Sequence, residues 1–156
     1  MPAEPHQSQT PPPVITGRCY CGAVRLSART LPQTVAYCHC RDCRRWTGAP
    51  VAAFAAFGEG DPDFSPPLGA TFSAAPGGDR WTCPQCGSPL AARFDDLPGQ
   101  VYVPLGLLDQ AGSLPPRLHS HAEARLPWLH IPDDIPRHGG SAGDSLTAAT
   151  DAEEKP

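Results

Sequence analysis

The chain has 156 residues, room for one domain of ordinary size and too few for two. Pro (21) and Gly (15) make up nearly a quarter of it. That argues against a helical bundle, because Pro removes a backbone donor and Gly costs entropy inside a helix. The net charge is −4, and residues 17–109 balance eight Arg against eight Asp or Glu. No basic stripe is available to displace the counterions of a nucleic acid, which is therefore not an expected partner.

In chain order, residues 1–13 are Pro, Gln, Ser and Thr with one Glu, and read as a disordered lead-in. An ordered domain is expected over 14–138, with 139–156 as a Gly/Ala/Ser/Asp-rich disordered tail. The start has neither a basic region nor an apolar one, so no secretory signal is expected. Strands are expected at Val14–Ile15 leading into Arg18–Tyr20, Ala23–Ala28, Thr34–Cys38, Val51–Phe57, Ala70–Ser73, Leu90–Phe94, Val101–Leu105 and Leu118–His121. Val24, Leu26 and Ala28 alternate with Arg25, Ser27 and Arg29, as on a half-buried strand. Pro- and Gly-rich breaks at 58–69, 76–78 and 112–116 read as loops. Helical turns fit only Arg41–Trp46 and Ala122–Leu126. The longest apolar run, Val51–Phe57, is far short of the ~20 residues that cross a bilayer. These features predict a cytoplasmic, all-β or mainly β domain with no membrane partner. The oligomeric state is not legible.

Aromatic residues are 7% of the chain and Met occurs once, so the core is short of apolar material. Seven cysteines are the candidates for additional hold. They fall in three groups: Cys19-Tyr-Cys21-Gly22, Cys38-His-Cys40-Arg-Asp-Cys43 and Cys83-Pro-Gln-Cys86-Gly87. In an extended segment residues i and i+2 point to one side, so Cys19 with Cys21, and Cys38 with Cys40, can grip one ion. A C-x-x-C turn ending in Gly aims both sulfurs at a metal. In a reducing compartment such clusters bind metal more often than they form disulfides.

Ligand counting suggests a partition. Cys19, Cys21, Cys83 and Cys86 make a closed four-thiolate site suited to structural zinc. Cys38, Cys40 and Cys43 are left with an open position, the pattern of a reactive metal. Spacing alone leaves other partitions open, and a four-sulfur knuckle suits iron as well as zinc. Three thiolates would leave Zn²⁺ at net −1, a weak Lewis acid whose soft surroundings favour a further sulfur ligand. The expected substrate is thus a small thiol. Arg41, Arg44 and Arg45 stand beside the trio, placed to offset its charge and to pair with substrate carboxylates. Trp46 is a candidate pocket wall.

These motifs, in this order, resemble a known family. Gly17-Arg-Cys-Tyr-Cys-Gly-Ala-Val24, Tyr37-Cys-His-Cys-Arg-Asp-Cys-Arg-Arg-Trp-Thr-Gly-Ala49, Arg80-Trp-Thr-Cys-Pro-Gln-Cys-Gly-Ser-Pro-Leu90 and Leu105-Gly-Leu-Leu-Asp109 are similar to the glutathione-dependent formaldehyde-activating enzymes, also called the CENP-V/GFA domain. The segment Pro116–Pro136 resembles the family's closing segment, although Arg137-His138 stands where an aromatic often follows. The resemblance covers about 14–138. It implies a tent-like fold of layered antiparallel sheets with short helical turns and two zinc ions per chain. It implies Cys19, Cys21, Cys83 and Cys86 as structural ligands and Cys38, Cys40 and Cys43 as catalytic ones. The implied activity is that of a carbon–sulfur lyase that condenses formaldehyde with glutathione to S-hydroxymethylglutathione. The alternatives to a lyase are a non-catalytic zinc-binding interaction module and a thiol-based redox or metal sensor.

Other residues read more plainly. His39, between two cysteines on a strand, is expected to point away from them into a packing role. His119 and His121 share a face if extended and could reach a site, with a surface or structural role as the default reading. Trp81 and Trp128 are expected in the core, and so by default is Trp46. Asp42, Asp95-Asp96 and Asp133-Asp134 read as turns or loop ends.

Overall fold

The structure, a computed structural model, describes residues 14–73 and 77–141. The expected lead-in, 1–13, and residues 142–156 of the expected tail lie outside the described residues.

The fold is mainly β, as the strand pattern predicts, and its strands form two sheets. The smaller has the order β1 (Ile15–Arg18), β2 (Arg25–Ala28), β5 (Asp63–Ser65), all antiparallel. The larger has six strands in the order β6 (Gly78–Thr82), β7 (Pro89–Phe94), β8 (Gln100–Pro104), β4 (Ala52–Gly58), β3 (Thr34–Cys38), β9 (Leu118–Ser120). Its neighbours are antiparallel except that β9 lies parallel to β3. One α-helix, α1 (Arg41–Thr47), follows β3. Single 3-10 turns occupy 105–107, 111–113 and 122–124. No helix among the described residues is long and apolar enough to cross a membrane.

Two expectations shift. Residues 58–69 and 76–78, read as loops, contain β5 and the start of β6. Asp63-Phe64-Ser65 is too short and too Pro-flanked to show alternation, and pairs only because β2 offers it an edge. The expected strand Ala70–Ser73 reduces to a single bridge, Phe72 to Arg80. The chain also stays packed past 138: His121 N–H donates to Gly140 O (2.9 Å) and Ala122 N–H to His138 O (2.8 Å).

The alternation of β2 buries Leu26 and Ala28, which join Ile15, Val35, Ala55, Phe57, Val103 and Leu108 between the two sheets. β4 is buried on both faces: Ala55 and Phe57 look toward the small sheet, while Phe54 looks the other way and packs with Cys43 and Ala52. A continuous apolar run is what a strand covered on both faces requires. Trp81 joins the core near Cys19 and Cys83, but Trp128 does not; it is 63% exposed, because the closing segment wraps over the surface rather than beneath a sheet.

The end of β3 is fastened from behind by a buried chain of polar side chains. His39 and His119 are both fully buried, with Nε2 of His39 2.7 Å from Nδ1 of His119. His119 Nε2 lies 3.0 and 3.2 Å from the two oxygens of Asp133, which Arg137 also contacts at 3.0 Å. A carboxylate only accepts, so His119 donates from Nε2; when neutral it accepts at Nδ1 from His39. Burial, then the neighbouring His119, hold His39 below the usual imidazole range. His119 stacks on Tyr37 as well. His39 thus points away from its flanking cysteines, as expected, and Asp133 has a partner its sequence position did not suggest.

Two consequences are measurable. A Cβ on Gly17 would lie 2.5 Å from the Leu107 carbonyl oxygen and 3.2 Å from Leu108 Cα. These are backbone atoms that cannot rotate aside. Gly17→Ala is expected to cost about 1–3 kcal/mol in chemical denaturation, the range for overpacking; an unchanged midpoint would refute the close approach. His119→Ala leaves His39 Nε2 unsatisfied in the interior. A loss of about 1–3 kcal/mol is expected, with faster amide exchange at His39, whose N–H bonds Ser120 O.

Candidate metal centres

The first cluster joins two turns. The sulfurs of Cys19, Cys21, Cys83 and Cys86 all lie within 4.8 Å of one another, with Cys19 to Cys21 at 3.6 Å and Cys21 to Cys83 at 3.9 Å. The expected extended geometry at Cys19–Cys21 is replaced by a turn after β1, in which Gly22 takes φ +79° and its N–H donates to Cys19 O. The turn, not a strand, puts both sulfurs on one side. Gly87, at φ +75°, closes the second turn in the same way, its N–H donating to Cys83 O. Backbone N–H groups point at sulfur: Val24 to Cys19 at 3.3 Å and Ala23 to Cys21 at 3.4 Å. The Ser88 hydroxyl accepts from Tyr20 N–H (3.1 Å) and lies 3.1 Å from Cys86 Sγ, to which it can donate. That bond holds the Cys86 thiol down to about 5. Donors lie against three of the four clustered sulfurs, and the four-sulfur set fits a tetrahedral thiophilic cation.

The second cluster sits at the other end of β3. Cys38 ends the strand, Cys40 caps α1 with its sulfur accepting Cys43 N–H (3.3 Å), and Cys43 is buried in the first turn. Here the extended backbone does what was expected: Cys38 and Cys40 face one way and His39 the other. The three sulfurs lie within 4.8 Å of one another. Among the described residues, no fourth Cys, His or carboxylate joins them at that distance. Hydrogen bonds from the Cys38 and Cys43 thiols hold Cys40 down to about 2; donation to Cys40 pushes Cys38 up to about 12, and donation to Cys38 and Cys40 pushes Cys43 up as well. Three clustered thiols cannot all ionise without a counter-charge, and a bound cation would supply it.

This trio opens on a cavity of about 270 Å³. Phe54, Phe94 and Tyr102 wall it, the rings of Phe94 and Tyr102 meeting edge to face at 5.2 Å. Asp42, Arg80, Asp96 and His121 bring polar groups to it.

The arginines beside the trio in sequence do not line this cavity. Arg41, Arg44 and Arg45 line a separate depression with Gly48–Pro50 and Leu126, on the far side of α1. The helix turns them away from its Cys43 face, and Arg44 is engaged with the carbonyls of His39 (3.2 Å) and Ala124 (3.5 Å). Trp46 is not a lining residue; it stacks behind Phe54 at 6.1 Å. The cationic side chain at the cavity is Arg80, forty residues from the trio in sequence. Its place just before the Cys83 motif gave no sign of this. Of the two histidines that an extended segment would place on one face, His121 lines the cavity and His119 is structural.

Comparison with known proteins agrees with this architecture. A crystal structure of a Rhodobacter sphaeroides protein, a structural-genomics target, superposes with a TM-score of 0.50 at 20% identity, covering 79% of this chain and 99% of that one. At that identity it speaks for the fold alone. No curated protein matches the chain. The sequence profile of the family described as "Glutathione-dependent formaldehyde-activating enzyme" matches residues 14–124, from β1 through the last 3-10 turn and across both cysteine clusters. The chain belongs to that family.

Proposed function

We propose that this protein is a zinc-dependent carbon–sulfur lyase of the glutathione-dependent formaldehyde-activating type. Cys38, Cys40 and Cys43 are its catalytic metal ligands, and Cys19, Cys21, Cys83 and Cys86 its structural ones. The substrate is a small thiol such as glutathione, or its hydroxymethyl adduct. The observation that carries this reading is the trio of sulfurs within 4.8 Å, opening on an aromatic-walled cavity with no fourth protein donor among the described residues. The seven cysteines cluster as a four and a three at metal-ligand distances, the usage expected of a reducing, cytoplasmic setting.

Zinc held by the trio would supply a position at which a substrate thiol ionises near neutral pH while remaining a nucleophile. In the condensation, the thiol sulfur forms a bond to the carbonyl carbon, the thiol proton leaves, and the carbonyl oxygen gains a proton. The reverse reaction breaks that C–S bond. The protein's own part is shape and protons. Phe54 and Phe94 give the cavity apolar walls that keep bulk water from the carbonyl. Tyr102 and His121 are proton-bearing groups that face it. Burial pushes the Tyr102 hydroxyl up, so it stays protonated; at rest it donates to Gln100 Oε1 at 2.6 Å, and Gln100 is in turn held by Gln33 at 2.8 Å. Behind the trio, the His39–His119–Asp133 chain fixes the strand end from which Cys38 and Cys40 project.

Metal analysis tests the assignment directly. The purified protein is expected to hold two zinc ions. Cys43→Ser is expected to keep the fold and one ion while turnover of thiol–formaldehyde adducts falls to background. Cys83→Ser is expected to abolish cooperative unfolding, since structural zinc contributes on the order of 10 kcal/mol to small folds. Two ions retained in both variants would refute the partition. In cobalt-substituted protein, glutathione should change the sulfur-to-metal charge-transfer band; a band indifferent to every small thiol would rule out an open thiol position.

A further inference from the structure

The guanidinium of Arg80 is held in place but, among the described residues, has no acidic partner. β6 alternates: Trp81 turns into the core beside Cys19 and Cys83, and Arg80 turns to the cavity shared with Cys38, Cys40 and Cys43. Its Cζ lies 5.6 Å from the ring centres of both Trp46 and Phe94. Nε is buried without a hydrogen-bond partner, and among the described residues the group makes no ion pair. Asp42 and Asp96 line the same cavity, yet both are exposed and neither pairs with it. A guanidinium is always charged and its donors need acceptors. Cation–π contacts with two rings orient the planar fork without satisfying its N–H groups. What remains unmet is a planar acceptor of opposite charge, and a carboxylate fits that fork bidentately.

We infer that Arg80 is the specificity-determining residue of the cavity and that the substrate thiol carries a carboxylate, seated on Arg80 while its sulfur reaches the cysteine trio. The inference rests on the thiol-site reading above and adds to it the substrate's charge and the residue that reads it. The linking atoms of the substrate lie along Phe94 and Tyr102. Asp42 and Asp96 on the same cavity disfavour a dianion such as a phosphate ester and leave room for a singly charged carboxylate. The same arrangement explains why the arginines of α1 are not needed for recognition: they face another surface.

The test compares two thiols of equal length, 3-mercaptopropionate and 3-mercapto-1-propanol, titrated calorimetrically into zinc-loaded protein. The wild-type protein is expected to bind the carboxylate about tenfold or more tightly, the scale of one charge-assisted pair. Arg80→Met, which keeps apolar bulk between Trp46 and Phe94, should bring the two thiols within about twofold by weakening only the carboxylate. Arg80→Lys, with charge but no fork, should retain part of the preference. Equal binding of both thiols by the wild-type protein overturns the role of Arg80 and leaves the thiol site standing. Binding of neither overturns the thiol site and this inference together. The wild-type comparison decides the matter even where the variants fold poorly.

Discussion

Four sulfurs drawn within 4.8 Å of one another join the turn after β1 to the turn between β6 and β7, more than sixty residues apart in sequence. They anchor the small sheet to the edge of the large one. The apolar core beside this junction is modest: Val24, Trp81, Leu90, Ala91 and Val101 pack around Cys19 and Cys83 themselves. Backbone N–H groups turn toward the sulfurs of Cys19 and Cys21, and the Ser88 hydroxyl lies beside that of Cys86, an arrangement that suits thiolates. Closing so long a loop restricts the unfolded chain, and a cation neutralising four thiolates would make the junction strong where hydrophobic burial alone is weak.

From this anchor the large sheet extends to the second cluster through β7, β8, β4 and β3. β4 has a different neighbour on each face, the small sheet on one side and the helix with its cavity on the other. That separates the core between the sheets from the sulfur-lined cavity across a single strand. Ala55 and Phe57 belong to the first, Phe54 to the second. At the end of β3 the chain alternates Cys38, His39, Cys40, so two sulfurs go to the cavity and one imidazole goes to the interior. The imidazole ends in a hydrogen-bonded chain to Asp133, which ties the closing segment to the strand that carries the sulfurs. Placing a site on such fixed elements, with the residues behind it also held, is what a reactive centre needs.

The cavity combines apolar walls with a few convergent polar groups, the ordinary make-up of a small-molecule site. Its lining side chains come from β3, α1, β4, β6, β7 and β8 and from the segment after β9. Arg80 stands between the two clusters in the fold: β6 carries it to the cavity and leads directly into Cys83.

The sequence alone determined what is local. The C-x-C and C-x-x-C-Gly spacings identify the sulfur pairs because a turn or an extended pair of residues aims them within a few bonds. The period-two pattern of Val24–Ala28 and the apolar run of β4 identify strands because alternation and continuity record one or two covered faces. Only the tertiary structure decided which pairs meet, that His119 lies between His39 and Asp133, that β5 forms, and that Trp128 stays outside. It also decided that the arginines of α1 look away while Arg80 looks in. Each of these depends on elements far apart in the chain being brought together by packing, and neither composition nor spacing records a distance through space.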